Sequence, residues 1–551
     1  MGEQNAARDT DMDVAIVGAG FSGLYALYKV RELGLSARVF EAAPDVGGTW
    51  YWNRYPGARC DVESVQYSYS FDGELEQDWA WSERFATQPE ILAYINHVAD
   101  RFDLRSDISL ETRIDSIVHD EKAAHWVLTD QAGNQVRAKF IIMATGCLSA
   151  ARVPDLPGLD SFCGKILHTG DWPHEATDFS GLKVAVIGTG SSGIQVIPEI
   201  AKTAEHLHVF QRTPNFSVPA RNQPLTDEKV AYWKENYPRL RKQAREETPS
   251  GTIYDFPTCS ALDVDDAERN AELEARWQKG GANFMHAYND FVTNEKANQY
   301  AADFVRSKIR ETVKDPAVAE ALCPTDYPIF TKRICVDTQY YDTFNRSNVT
   351  LVNLRKSPLE EITETGIRTS DAHFDFDVII FATGFDAITG ALTSIDIRGK
   401  DGQLLRDKWA DGPRTYLGLM TAGFPNLFTV TGPQSPSVLS NMVTSIEQHV
   451  EWISDCLKMM QEKKAERIEP TTEAENDWVE HVNEVADATL LPRAASWYMG
   501  ANIPGKARVF LPYIGVANYR RKCDEVVADG YRGFIIEGNN SKQGNPERRS
   551  A

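Results

Sequence analysis

Apolar residues in this chain gather in short continuous runs, each closed by glycine or by polar residues. Val14-Ala15-Ile16-Val17, Ala37-Arg38-Val39-Phe40, Phe140-Ile141-Ile142-Met143, Val184-Ala185-Val186-Ile187, Leu207-His208-Val209-Phe210 and Val378-Ile379-Ile380-Phe381 read as buried strands. The pattern from Gly20 to Leu33 is helical and stops at Gly34, a residue suited to a helix C-cap. Near residues 225 to 325 the pattern changes. Asp265–Lys279 and Asn294–Lys314 read as charged amphipathic helices, with Gly280-Gly281 and Pro316 as their stops. After Gly384 the signals are strands and loops, then a long helix from about Ser440 to Glu462. The segment from Gly538 to Ala551 has almost no apolar residue and reads as a disordered tail.

These elements predict an α/β fold with two Rossmann-like dinucleotide-binding units. The run 140–143 leads into Ala144-Thr145-Gly146, and 378–381 leads into Ala382-Thr383-Gly384. The matching exits suggest that each unit closes in the same way, with the second inserted in the first. The expected boundaries are a flexible N-terminus at 1–12 and a first unit at 13–150 and 385–537. The second unit is expected at 151–224 and 329–384, a helical insertion at 225–328, and the tail at 538–551.

Both units carry a glycine fingerprint between a strand and a helix. The first is Gly18-Ala19-Gly20-Phe21-Ser22-Gly23 and the second Gly188-Thr189-Gly190-Ser191-Ser192-Gly193. The glycines permit a tight turn and let the backbone approach a pyrophosphate seated on the helix N-terminus. The next strand ends differently in the two units. Glu41 follows the first, a carboxylate able to accept from free ribose hydroxyls, and Arg212 follows the second, a cation suited to a 2′-phosphate. FAD in the first unit and NADPH in the second is the economical reading.

Composition narrows the classes. A chain of 551 residues is too long for one core, and a net charge of −21 argues against a nucleic-acid partner. No apolar run reaches the length of a membrane span, and Met1–Asp13 is too polar for a signal peptide. The eight cysteines include no Cys-x-x-Cys pair. That spacing fits reduced thiols in a cytoplasmic protein, provides no zinc or other metal site, and excludes flavin disulfide reductases, which need a redox pair beside the flavin.

The segment Phe162-Cys163-Gly164-Lys165-Ile166-Leu167-His168-Thr169-Gly170-Asp171-Trp172-Pro173 precedes the second fingerprint. Its pattern, Phe-x-Gly-x-x-x-His-x-x-x-Trp-Pro, resembles the signature of type I Baeyer–Villiger monooxygenases. Gly47-Gly48-Thr49-Trp50, Tyr55-Pro56-Gly57 and Asp61 match a second signature. Lys332-Arg333, Ala382–Asp386 and Trp497–Lys506 extend the resemblance across about residues 12 to 535, nearest to the phenylacetone and steroid monooxygenase branch.

The resemblance implies roles for named residues. Arg333 would be the fixed cation that stabilises a peroxyflavin, with Asp61 orienting it. Without that resemblance, Asp61 reads as an ordinary turn residue and Arg333 as a solvated charge. FAD contacts would come from Gly18, Gly20, Phe21, Ser22, Gly23, Glu41, Thr49, Trp50, Asp61 and Tyr67. NADPH contacts would come from Gly188, Thr189, Gly190, Ser191, Ser192, Gly193, Gln195, Arg212, Thr213, Lys332, Arg333 and Trp497. Ser437, Val438 and Leu439 would line the substrate pocket. His168 reads as a hinge or linker residue.

The expected reaction converts a ketone to an ester or lactone with NADPH and O2, in a monomer or weak homo-oligomer. The rival readings are oxygenation of nitrogen or sulfur, an NADPH oxidase or reductase, and a non-enzymatic FAD-binding module.

Overall fold

The structure, a computed structural model, describes residues 11–538. The flexible N-terminus and the disordered tail expected from the sequence lie outside these residues, save at their edges. There the boundaries shift, because Met12 begins the first strand and Gly538 ends the last.

The first sheet is built around Met12–Val17, flanked in parallel by Ala37–Phe40 and Gln135–Met143. Four of the six residues in the central strand are buried. Its near-continuous apolar character follows, because a parallel strand covered on both faces has no wet side. An antiparallel meander of Ile114–Asp120 and His125–Asp130 continues this sheet. The second sheet is wholly parallel, in the order Val349–Asn353, His206–Gln211, Lys183–Ile187, Val378–Phe381, Lys165–His168.

Chain order proves the insertion. The second sheet is complete by Phe381, and the chain then returns two strands to the first sheet. Asp396–Arg398 pairs with Ile114–Asp120, and Leu427–Thr429 pairs with Gln135–Met143. The two crossings between units run side by side. Arg152 N–H donates to Gly384 O at 3.1 Å, Asp386 N–H to Ala150 O at 2.9 Å and Ile388 N–H to Cys147 O at 2.7 Å.

The insertion between the halves of the second unit is helical. Asp266–Lys279 is capped by Asp265 and ends at Gly280, and Glu295–Thr312 is capped by Asn294. Pro316 differs from expectation. It opens the helix Pro316–Leu322, because its missing N–H is no loss at a first helical position. The sequence reading named no helix at Asp227–Glu246, which continues through Pro238. A proline there leaves the carbonyl four residues earlier without its helical donor. Gln77 supplies one, donating from Nε2 to Lys234 O at 2.8 Å.

The long helix Met442–Lys463 packs on Phe21–Glu32 through the largest apolar cluster, which includes Leu24, Leu27, Ile446, Val450 and Ile453. This packing brings the loop before the long helix, residues 431–441, back to the edge of the first sheet.

Candidate active site

Each fingerprint forms a cradle at the C-terminal edge of its sheet. Gly18 has φ +105°, and a Cβ there would lie 2.5 Å from Ala144 O. Gly188 has φ +111°, and a Cβ would lie 2.4 Å from Ala382 O. The paired Ala-Thr-Gly exits thus pack directly beneath the paired glycine turns, which explains why both recur. The helices that follow begin at Gly20 and Gly190 with no side-chain cap and no acidic residue in the first turn. Helices of the insertion are capped by Asp265, Asn294 and Asp315. Uncapped N–H groups and a positive dipole end suit a phosphate. Both cradles therefore fit a dinucleotide.

Glu41 is buried and braces the first turn, accepting from Ala19 N–H at 2.6 Å and Ala43 N–H at 2.8 Å. Burial raises its carboxyl against the pull of these N–H groups. Phe21, Trp50 and Tyr67 make an aromatic wall beside it. Trp50 Nε1–H donates to Tyr67 Oη at 3.2 Å, and the rings of Phe21 and Tyr67 meet edge-on at 5.5 Å. Thr49 opens the short helix that presents Trp50.

Arg333, from the second unit, reaches across to two groups of the first. Its Nε and Nη2 donate to the two carboxylate oxygens of Asp61 at 2.6 and 2.7 Å, and its Nη1 donates to Val438 O at 2.8 Å. Burial opposes both charges, but the partners prevail. Arg333 is held well above its ordinary pKa and Asp61 below the usual carboxylate value. The result is a permanent, two-point-held guanidinium.

Val438 lies in the turn Ser437–Leu439, whose first residue, Ser437, is fully buried at φ +41°. Such a backbone costs energy without glycine and is kept only where surrounding contacts fix it. The sequence reading missed Tyr498, which lies close to Arg333, and Cys147, which is buried close to Ser437. Burial pushes the Cys147 thiol up to about 11 and keeps it protonated. The only available signal for Tyr498 was its place beside Trp497, whose half-buried ring stacks obliquely on it with centroids 4.5 Å apart.

Several expected nucleotide contacts are engaged within the protein. Thr189 donates from Oγ1 to Thr213 O at 3.2 Å. Gln195 accepts from the Tyr55 hydroxyl at 2.8 Å and donates to Arg59 O at 3.1 Å, tying the second nucleotide helix to the first unit. Ser191 lies 3.7 Å from Cys335 Sγ, and Ser192 lies close to the Tyr55 hydroxyl. Arg212 is exposed, and Lys332 lies near enough for its ammonium to be disfavoured by burial and by Arg212. Arg212 and Lys332 therefore form a positive patch beside the second cradle.

The signature segment does not line the Arg333 site. Phe162 and Trp172 are buried in cores of the second unit. His168 accepts from Gly170 N–H at Nδ1 (2.9 Å), which leaves the proton on Nε2 to donate to Arg152 O at 3.1 Å. Thr383 donates to the same carbonyl at 2.6 Å. His168 and Thr383 thus fasten both crossings between the units, and burial keeps the imidazole neutral.

Comparison with known proteins places these features in context. A family model described as FMO-like, flavin-binding monooxygenase-like, matches residues 11–221. A Baeyer-Villiger monooxygenase of Pseudooceanicola batsensis is 44% identical over 532 residues, covering 95% of this chain and 96% of the relative. A phenazine N-monooxygenase of Lysobacter antibioticus is 43% identical over 532 residues, covering 96% and 97%. The solved structure of an oxidized steroid monooxygenase bound to NADP superposes with a TM-score of 0.91 at 52% identity, covering 96% of this chain and 100% of that one.

Proposed function

The chain belongs to the Baeyer–Villiger monooxygenases, and from that membership we propose how its own residues carry the reaction. It is an FAD- and NADPH-dependent enzyme that takes a ketone, O2, NADPH and a proton to an ester or lactone, NADP+ and water. When bound, FAD would supply the redox chemistry that carries the electrons of NADPH to O2, one atom of which is inserted while the other leaves as water.

The observation that carries the proposal is the Arg333–Asp61 pair, which bridges the two units at 2.6 and 2.7 Å. Oxygen insertion beside a carbonyl develops negative charge on oxygen. A guanidinium fixed in place stabilises that charge without reorganising as it forms. Asp61 keeps the fork oriented, Val438 O fixes its third contact, and Tyr498 covers it. The first cradle, with Glu41, Thr49, Trp50 and Tyr67, holds FAD. The second, with Arg212, Thr213 and Lys332, holds NADPH, and Gln195 acts mainly as a tie between units. The buried turn Ser437–Leu439 lines the ketone pocket. The free, scattered cysteines support a cytoplasmic location, and among the described residues no helix is long and apolar enough to cross a membrane.

The test is Arg333→Ala. It should retain FAD and still be reduced by NADPH, yet form less ester by at least about a hundredfold, as expected for loss of one oxyanion-stabilising group. Normal ester yield, measured by product mass, overturns the assignment. The phenazine N-monooxygenase relative supports a second reading, oxygenation of an aromatic nitrogen. A panel of ketones and aromatic N-heterocycles with product identification separates the two, and N-oxides alone would favour the second.

A further inference from the structure

We infer that Arg355 is a third cation of the 2′-phosphate pocket, acting with Arg212 and Lys332 to select NADPH over NADH. The inference rests on the reading that the second unit binds NADPH. It starts from strand order, which the sequence does not reveal. Val349–Asn353 runs parallel to His206–Gln211, with Asn353 opposite Gln211. Leu354 N–H donates to Gln211 O at 2.9 Å, so the two chain segments leave their strands together. Arg212-Thr213 and Arg355, more than a hundred positions apart in sequence, therefore emerge side by side. They emerge at the C-terminal edge of a parallel sheet, where ligands of open α/β folds bind.

The side chains converge as well. Arg355 Nη2 donates to Thr213 Oγ1 at 3.4 Å, and its guanidinium is ion-paired with Asp326. Lys332 sits over the Tyr327 ring, 4.3 Å from its centroid. Burial lowers the Lys332 ammonium, Arg212 and Arg355 lower it further, and Asp326, with a smaller part from Cys335, opposes them. Three cations thus face one carboxylate. The Arg355 and Asp326 side chains are 45% and 40% exposed, so the guanidinium stays open to an incoming ligand. Surplus positive charge gathered at one spot costs electrostatic energy, and a phosphate dianion relieves it. Arg355 brings a planar fork with donors beyond those used by Asp326, and that fork matches phosphate oxygens.

A purely structural Arg355 would do no more than hold Asp326 on the surface. Titration calorimetry of the FAD-loaded chain with 2′,5′-ADP and with 5′-AMP separates the two roles. These probes share the adenosine 5′-phosphate and differ in the 2′-phosphate. Arg355→Ala should weaken 2′,5′-ADP about tenfold, in line with the loss of one charge-assisted contact, and leave 5′-AMP within about twofold. Arg355→Lys should recover part of the loss. Asp326→Asn, which breaks the same ion pair, should not reproduce it. Unchanged 2′,5′-ADP binding in Arg355→Ala, or an equal loss for both probes, overturns the inference. Arg212→Ala provides the control on the underlying reading. If wild type fails to prefer 2′,5′-ADP and Arg212→Ala changes nothing, the NADPH assignment itself falls. If Arg212→Ala loses the preference while Arg355→Ala keeps it, only the role of Arg355 falls.

Discussion

Arg333 and Asp61 lie 272 positions apart, and each looks ordinary in its own sequence neighbourhood. An arginine after lysine and an aspartate after a Pro-Gly turn are common surface features. They become a site because the fold sets the two partly exposed side chains against each other with both carboxylate oxygens engaged, which leaves each the other's main partner. The resemblance to a known family pointed to them, whereas no local rule would have. Glu447 illustrates the opposite case, a buried charge that no motif marked. It is 2% exposed and accepts from Ser70 N–H and Ser70 Oγ–H, both at 2.6 Å. Burial pushes its carboxyl up to about 7, against the Ser70 hydrogen bonds and Arg241, and Glu451 adds to the rise. A folded pKa above the ordinary 4.5 means that the folded chain binds more protons than the unfolded one in that interval. Stability contributed by this group therefore falls as pH rises from about 4.5 to about 7 and is constant above, by roughly 3 kcal/mol at most. Glu447→Gln can keep both bonds, because the serine hydroxyl can accept as well as donate. Its melting temperature should decline less than that of wild type between pH 5 and pH 8. A decline parallel to wild type would show that Glu447 does not titrate in this range.

At the scale of elements, sequence and structure agree where one short rule decides. The strands Ala37–Phe40 and Val378–Phe381 have the extents read from their short runs. The long helix expected from about Ser440 to Glu462 spans Met442–Lys463, since Asn441 caps its start. Agreement weakens where a partner distant in sequence intervenes. Asp227–Glu246 stays helical through Pro238 with Gln77 serving the stranded carbonyl, and nothing near Pro238 announces that donor. The strand–turn–helix units carry a sharp prediction. A Cβ on Gly23 would lie 1.8 Å from Gly18 O, inside the first turn. Gly23→Ala should push the helix from the strand, cost about 1–3 kcal/mol and reduce flavin occupancy. The flavin-to-protein absorbance ratio and a thermal melt check this, and full occupancy with an unchanged melt would contradict it.

At the scale of the molecule, the two units meet through paired linkers, and His168 fastens both by its contact with Arg152 beside Thr383. Trp172 N–H adds a link to Trp52 O at 3.4 Å. The diagnostic motif therefore marks the joint between nucleotide sites rather than the chemistry. His168→Ala should leave FAD and 2′,5′-ADP affinities within about twofold while slowing flavin reduction by NADPH about tenfold, because only the relative placement of the sites is disturbed. Anaerobic stopped-flow absorbance measures that rate, and an unchanged rate would remove the hinge role. The sequence by itself determined the two nucleotide units, their order, the insertion and the charge contrast between Glu41 and Arg212. Strand burial, tight turns and the charge that follows a strand are local, so their physics is written within a few neighbouring positions. Only the tertiary structure decided that Arg333 meets Asp61, Val438 and Tyr498, that Gln195 ties units together, and that Arg355 stands beside Thr213. Those arrangements depend on strand order and domain docking, which bring together groups that share no local pattern.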